Sequence, residues 1–384
     1  MKRVPLGRTG ILVNPIGMGC EHLQGKDEAL VISMVNHALD GGVNLLDVFM
    51  SEPNVRTAIG RGLGGRRDQA ILQGHIGATW QNGQYAVSRE PDLCRAAFED
   101  LLRRLQTDYI DVAMLHFVDD LGEWDRLVDS DTFRYALSLK DSGAARCLGM
   151  SSHNPAVALR AAQSGAIDVI MFSVNPAYDL LPGDASLDSL FSADMLAGYQ
   201  DARGVHPARA ALYQTCERLG VAITVMKALG GGTLLDGRRT PLGNAMTVHQ
   251  LMHYALSRPA VASVLVGSQT TRELEHILQY EHTDPDDLDY AEALTATPRY
   301  AATGRCMYCN HCLPCPAAID IAQVNKYLDL AEGLPEMPAT VAQHYSSLSK
   351  TAADCIECGA CERRCPFGVP VIGRMRAATA LFGG

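Results

Sequence analysis

The sequence predicts an α/β protein: a (β/α)8 TIM barrel followed by a small, cysteine-rich C-terminal domain. Three observations predict it. Eight short runs rich in β-branched and aliphatic residues alternate with amphipathic stretches up to about residue 283, the rhythm of βα units that close a parallel sheet. No G-x-G-x-x-G turn follows the first run, which argues against the alternative, a doubly wound open sheet. Eight of the 12 cysteines lie in the last 79 residues.

The strand candidates, in order, are GILVNPIGMG (10–19), GVNLLDV (42–48), QAILQGH (69–75), YIDVAMLHF (109–117), ARCLGMSS (145–152), IDVIMFSVN (167–175), GVAITVMK (220–227) and VASVLVGS (261–268). Helical patterns run between them. PDLCRAAFEDLLRRL places Leu93, Ala97, Leu101 and Leu105 on one face, and TRELEHILQY follows the last strand. The barrel is expected over residues 1–285. Residues 286–384 are expected to form a linker and the second domain, with cysteine motifs at 306–316 and 355–366. A helical insert, IAQVNKYLDLAEGL, separates the two motifs.

With 47% hydrophobic and 20% charged residues, the composition is that of an ordinary globular protein. No run approaches the roughly 18 apolar residues that a membrane span requires. The 33 basic against 43 acidic residues give a net charge of −10 and no basic stripe for nucleic acid. The opening MKRVPLGRTG leads into no sustained apolar run, so no secretory signal is expected. Together with oxygen-sensitive cofactors, this predicts a cytoplasmic protein of an organism living with little oxygen.

The cysteine runs carry the strongest chemistry. CIECGACERRCPFG spaces Cys355, Cys358, Cys361 and Cys365 as C-x2-C-x2-C-x3-C-P, and CMYCNHCLPCP spaces Cys306, Cys309, Cys312 and Cys315 as C-x2-C-x2-C-x2-C-P. Disulfides are the first alternative, disfavoured by the absence of a signal peptide. Structural zinc is the second, and it uses C-x2-C pairs parted by a longer loop. The doubled run resembles a bacterial two-cluster ferredoxin, which implies two 4Fe–4S clusters with the fourth cysteine of each run ligating the other run's cluster. On that resemblance Cys306, Cys309, Cys312 and Cys365 hold one cube, and Cys355, Cys358, Cys361 and Cys315 the other. The first run is one residue short before its last cysteine, and about 40 residues separate the runs.

In a (β/α)8 barrel the active site lies at the C-terminal ends of the strands. Collecting polar residues there gives Cys20, Glu21 and His22; Asp47; His75; His116; Ser151, Ser152 and His153; Asn175; Lys227; and Gly267 with Ser268. Asp47, His75 and His116, on three consecutive strand ends, form the candidate acid/base set, with Glu52 close in sequence. Histidine suits proton transfer near neutrality because its ordinary pKa is about 6.5.

PLGRTGILVNPIGMGC, GGVNLLD, RTAIGRGL, LLRRLQTDYIDVAMLH, SGAARCLGMSSHN and HYALSRPAVASVLVGSQTTRELE resemble the aldo-keto reductases over nearly the whole barrel. With the cysteine-rich tail added, the chain resembles the branch of oxidoreductases that joins such a barrel to a two-cluster domain. The resemblance implies a catalytic aspartate, tyrosine, lysine and histidine. Asp47 and His116 match the aspartate and histidine; His75 stands at the lysine position and Glu52 at the tyrosine position. Of the family's nicotinamide clamp, Ser151 matches the serine, while Ser152, Met171 and Met226 replace the asparagine, the glutamine and the stacking aromatic residue. Gly267, Ser268 and Arg272 match the phosphate end, ahead of a helix N-terminus. Asn175 and Lys227 are further candidates for cofactor or anion contact.

The expected function is an iron–sulfur oxidoreductase. Its clusters exchange electrons with a site at the barrel rim, where a carbonyl-type or otherwise activated small molecule is reduced. NAD(P)H fits the scaffold, and a flavin would convert its electron pair into the single electrons that cubes carry. In an alternative, hydride transfer is lost and Asp47, His75 and His116 drive elimination, dehydroxylation or isomerisation; two histidines and a carboxylate are also a metal-ligand set. A third reading is a non-enzymatic redox-sensing or electron-transfer module. An external carrier of the ferredoxin or flavodoxin type, or a partner oxidoreductase, is the expected partner.

Overall fold

The computed structural model describes residues 2–179, 205–240, 242, 244–290, 306, 312–332, 337, 339–365 and 368–383, which fall into two compact units. In the first, eight parallel strands close into a barrel: β1 (Ile16–Gly19), β2 (Leu45–Val48), β3 (Ile71–Ile76), β4 (Ile110–Leu115), β5 (Ala145–Ser152), β6 (Val169–Ser173), β7 (Ala222–Met226) and β8 (Val261–Val266). β8 returns to β1 through the pairs Val264↔Ile16, Leu265↔Gly17 and Val266↔Met18, so closure leaves no open edge. The eight runs expected from the sequence are these eight strands.

Around them lie α1 (Glu28–Asp40), α2 (Pro53–Leu63), α3 (Pro91–Leu105), α4 (Leu121–Val128), α5 (Asp131–Asp141), α6 (Pro155–Gln163), α7 (Pro207–Leu219), α8 (Val248–Leu256) and α9 (Thr271–Leu278). Proline opens α2, α3, α6 and α7, where its missing N–H has no helical partner to lose. A core between strands and helices joins residues such as Met18, Leu46, Phe98 and Phe172, all fully buried. The opposite strand faces, including Leu45, Val112, Met114 and Val169, pack with Leu6, Ile11 and Val13 into a second core.

Three details differ from the sequence reading. The first run is two pieces: Leu12–Val13 pairs antiparallel with Val4–Pro5, and only Ile16–Gly19 joins the barrel. Pro15 parts them, having no N–H to give the ladder. On α3 the buried stripe is Cys94, Phe98, Leu101 and Leu105: Leu101 and Leu105 are as expected, but Cys94 and Phe98 take the places of Leu93 and Ala97, and Leu93 is 45% exposed. Third, ATWQNGQYAV forms an antiparallel hairpin, Ala78–Gln81 with Gln84–Val87, between β3 and α3. Asn82 and Gly83 turn it with φ of 52° and 77°, the two positive values an Asn-Gly turn supplies.

The second unit is helical among its described residues: α10 (Ile321–Ala331), α11 (Ala339–Ser346), α12 (Ala360–Arg364) and α13 (Val371–Phe382). Its core gathers Ile319, Val324, Leu328, Tyr345, Val371 and Met375, with Cys361 among the buried members. Tyr345 stacks on Phe382, and its hydroxyl accepts from Ala352 N at 3.0 Å. Among the described residues no helix is long and apolar enough to cross a membrane. Residues 180–204, after β6, and most of the linker, 291–305, lie outside the described residues.

Candidate active site and cysteine pocket

The ends of β2, β3 and β4 bring Asp47, His75 and His116 together, each at most 5% exposed. They form an unbroken chain. Asp47 Oδ1 accepts from His75 Nε2 at 2.9 Å and from Gln73 Nε2 at 2.7 Å. His75 Nδ1 meets His116 Nδ1 at 2.8 Å, and His116 Nε2 meets the Tyr85 hydroxyl at 2.5 Å. The ring nitrogens therefore address one another in series, not a common point.

Tyr85, 3% exposed, comes from the Asn-Gly hairpin. The sequence reading missed it, although NG flanked by alternating residues is a strong hairpin signal. The hairpin is fixed at its base: Ser51 donates to Thr79 O at 2.6 Å, Thr79 to Ala86 O at 2.9 Å, and Ser88 N to Gly77 O at 2.9 Å. Gly77 makes this junction with φ +98°, and a Cβ there would lie 2.9 Å from Ser88 O.

The surroundings hold the chain in place. Phe49 stacks on His116, centroids 5.6 Å apart and planes 14° from parallel, and meets Tyr85 edge-on at 6.1 Å. Arg89 donates to His116 O at 2.8 Å and Phe117 O at 2.7 Å, and pairs with Glu123 at 2.8 Å. Buried Arg56 donates to Met50 O at 2.8 Å. Gln73 ties Asp47 across the barrel, accepting from Thr224 at 3.2 Å. Burial, then the neighbouring His75, Arg89, His153 and Arg56, holds the His116 pKa well below the usual histidine range. Cys20 stays a thiol: burial and the Asp47 charge push its pKa up strongly.

Glu52 is elsewhere engaged. Its two carboxylate oxygens accept from Asn54 N at 3.1 Å and Val55 N at 2.7 Å, capping α2. Across the rim, Ser151 Oγ accepts from Phe117 N at 2.7 Å, and Ser152 Oγ donates to Asp119 at 2.9 Å. Asp119 also takes His153 Nδ1 at 2.9 Å. Burial alone would raise the Asp119 pKa, but the charge and hydrogen bonds of His153, with Ser152, bring it below the usual carboxylate range. Asn175 donates to Lys227 O at 2.8 Å, steadying that half-buried lysine at φ +59°. Gly267 leaves room for the His22 ring, which an added Cβ would meet at 2.1 Å. The buried Ser268 hydroxyl has no hydrogen-bond partner among the described residues. Arg272 stands exposed on the first turn of α9, where Glu273 already accepts from Gln269 N at 2.7 Å.

In the second unit one largely apolar pocket is lined by Cys315, Cys355, Cys358 and Cys361, with Ile321 and Met375 among its walls. None of the four cysteines is in a disulfide. Four thiol donors on one apolar pocket suit a cube that offers each ligand its own iron. The donor set therefore fits a 4Fe–4S cluster. Cys306, Cys312 and Cys365 pack half-buried against the same core, and Cys309 lies outside the described residues.

The model of the aldo/keto reductase family matches residues 15–251, and that of a 4Fe–4S dicluster domain residues 305–370. Among curated proteins, the chain is 26% identical over 292 residues to the uncharacterised oxidoreductase YqkF of Bacillus subtilis, covering 73% of this chain and 90% of that protein. It is 32% identical over 165 residues to the aldo-keto reductase YhdN of the same organism, covering 40% of this chain and 47% of YhdN. Among solved structures, the holo form of the aldo-keto reductase AKR11C1 from Bacillus halodurans aligns with a TM-score of 0.59 at 22% identity. That alignment covers 78% of this chain and 98% of AKR11C1, a likeness of fold.

Proposed function

The chain belongs to the aldo/keto reductase family and is an oxidoreductase carrying a 4Fe–4S dicluster domain, and from that premise we propose that it reduces a small carbonyl-type molecule at the barrel rim with electrons drawn from its clusters. The observation that carries this reading is the buried Asp47–His75–His116 chain. It supplies protons where the family would use lysine and tyrosine. General acid groups of this kind contribute typically about 10²–10⁴-fold to a rate. Bound clusters supply the electrons one at a time.

We assign Cys315, Cys355, Cys358 and Cys361 to one cube, and Cys306, Cys309, Cys312 and Cys365 to the other. A specific observation weighs against nicotinamide as the direct donor. Ser151, Ser152 and Asn175 spend their polar groups on Phe117 N, Asp119 and Lys227 O, which leaves little to hold a carboxamide. The Ser268 hydroxyl, unpartnered among the described residues, and the exposed Arg272 favour an anionic group, a phosphate or a substrate carboxylate, at the β8–α9 end. Electrons then enter from an external carrier of the ferredoxin or flavodoxin type.

The test is an anaerobic titration of the purified protein with NADPH, then NADH, then dithionite, following cluster absorbance. Bleaching by dithionite alone is the expected result. Bleaching by either nucleotide would restore the nicotinamide route, and a flavin bridging it would show in the same spectrum.

A further inference from the structure

We propose that Tyr85 is the proton donor of this site and that His75 and His116 form a store holding one deliverable proton behind it. This deepens the reading above and rests on it for the identity of the acceptor, a carbonyl oxygen gaining negative charge.

The hydrogen bonds permit two complete arrangements. In the empty state both imidazoles are neutral and every donor points toward the carboxylate: Tyr85 O–H to His116 Nε2, His116 Nδ1–H to His75 Nδ1, His75 Nε2–H to Asp47. In the loaded state His75 carries a second proton. It still donates to Asp47 through Nε2, but its Nδ1–H now donates to His116 Nδ1. His116 in turn donates through Nε2 to the Tyr85 oxygen, which turns the phenolic O–H toward substrate. The states differ by one proton and by the polarity of two hydrogen bonds.

Delivery converts one state into the other. The Tyr85 O–H bond breaks as an O–H bond forms on the substrate oxygen; the phenolate takes the His116 Nε2 proton; His116 Nδ1 takes the proton from His75 Nδ1. The net change is one proton moved from His75 to substrate, with no electrons transferred in this step. Water at the rim reloads the store by the reverse path.

The environment divides the two histidines into different roles. His75 faces the buried carboxylate of Asp47, itself steadied by Gln73, so an imidazolium there has a counter-charge. His116 faces Phe49, Tyr85, Arg89, Arg56 and His75, with His153 nearby, and among the described residues no carboxylate is hydrogen-bonded to its ring. The charge therefore resides on His75, while His116 passes the proton on. The half-buried Phe49 ring stacked on His116 and set edge-on to Tyr85 keeps water off the chain.

The test combines nitrogen NMR of 15N-histidine-labelled holoprotein across pH with turnover driven by reduced methyl viologen, using butane-2,3-dione as probe. The NMR readout needs no substrate. It should show one proton taken up, on His75, with His116 switching from the Nδ1–H to the Nε2–H tautomer at the same midpoint. Tyr85→Phe should lower turnover by roughly 10² or more, keep full iron content and leave His75 able to take up its proton. Independent titration of the two rings, or a His116 tautomer that never changes, would overturn the store. Wild-type turnover by Tyr85→Phe would overturn the outlet. Coupled switching without reduction of the dione by wild type would uphold the store and count against the proposed function.

Discussion

In the barrel, eight strands close on themselves and the buried polar side chains of the acid/base set satisfy one another. In the unit from Cys306 onward, a small apolar core adjoins a pocket whose lining thiols form no disulfide. The barrel's acid/base set is tied together by its own hydrogen bonds, whereas the other unit turns its thiols toward an apolar pocket that suits an inorganic cluster. At this size one core rarely supplies more than about 3–5 kcal/mol. The difference teaches that cofactor loss should act on the two units separately.

The sharpest way to break that contrast is to remove iron. Anaerobic chelation should melt α10–α13 and leave the barrel's thermal transition in place, read by circular dichroism. Unchanged helix content in the iron-free protein would make the clusters passengers in a self-sufficient fold. Next in size, Cys361→Ser should remove about half the iron and abolish viologen-driven turnover, since it takes a ligand from one of two cubes. Cys20→Ser, a buried thiol of the barrel, should leave iron unchanged; loss of iron there would blur the division.

Within the barrel, Asp47→Asn or His116→Ala should lower turnover by roughly 10² or more while iron stays bound. Near-normal kinetics in both would remove the chain from the chemistry. Glu52→Ala tests the opposite expectation. Because Glu52 caps α2, the variant should lose about 1 kcal/mol of stability with turnover nearly unchanged, and a large loss of turnover would return Glu52 to the site. The last effect is with pH. His116 is held neutral in the fold, whereas the unfolded chain protonates it below about pH 6.5. The unfolded state thus binds more protons as pH falls below that value, and stability declines by up to about 1.4 kcal/mol per pH unit. A stability curve that is flat between pH 6.5 and the onset of carboxylate titration would contradict the assignment.

Much of the site was legible. Asp47, His75 and His116 could be placed at neighbouring strand ends because a parallel barrel puts successive strand C-termini side by side. Glu52 illustrates the limit: proximity in sequence to Asp47 implied proximity in chemistry, but its carboxylate lies two and three residues from free helix N–H groups and takes them. Ser151, Ser152 and Asn175 are similar, polar at the expected places yet committed to backbone and to Asp119. Tyr85 was hidden because its role depends on a hairpin folding back over the rim.

What the sequence determined by itself is therefore whatever local periodicity and spacing encode: eight strands, their order, and two cysteine runs whose intervals suit cubes and not single ions. What only the tertiary structure decided is which polar group meets which. That depends on distances of a few tenths of an ångström between side chains 41 residues apart for His75 and His116 and 151 apart for Gln73 and Thr224. Hydrogen bonds weaken steeply with such distances and with angle, and no pattern along the chain records them.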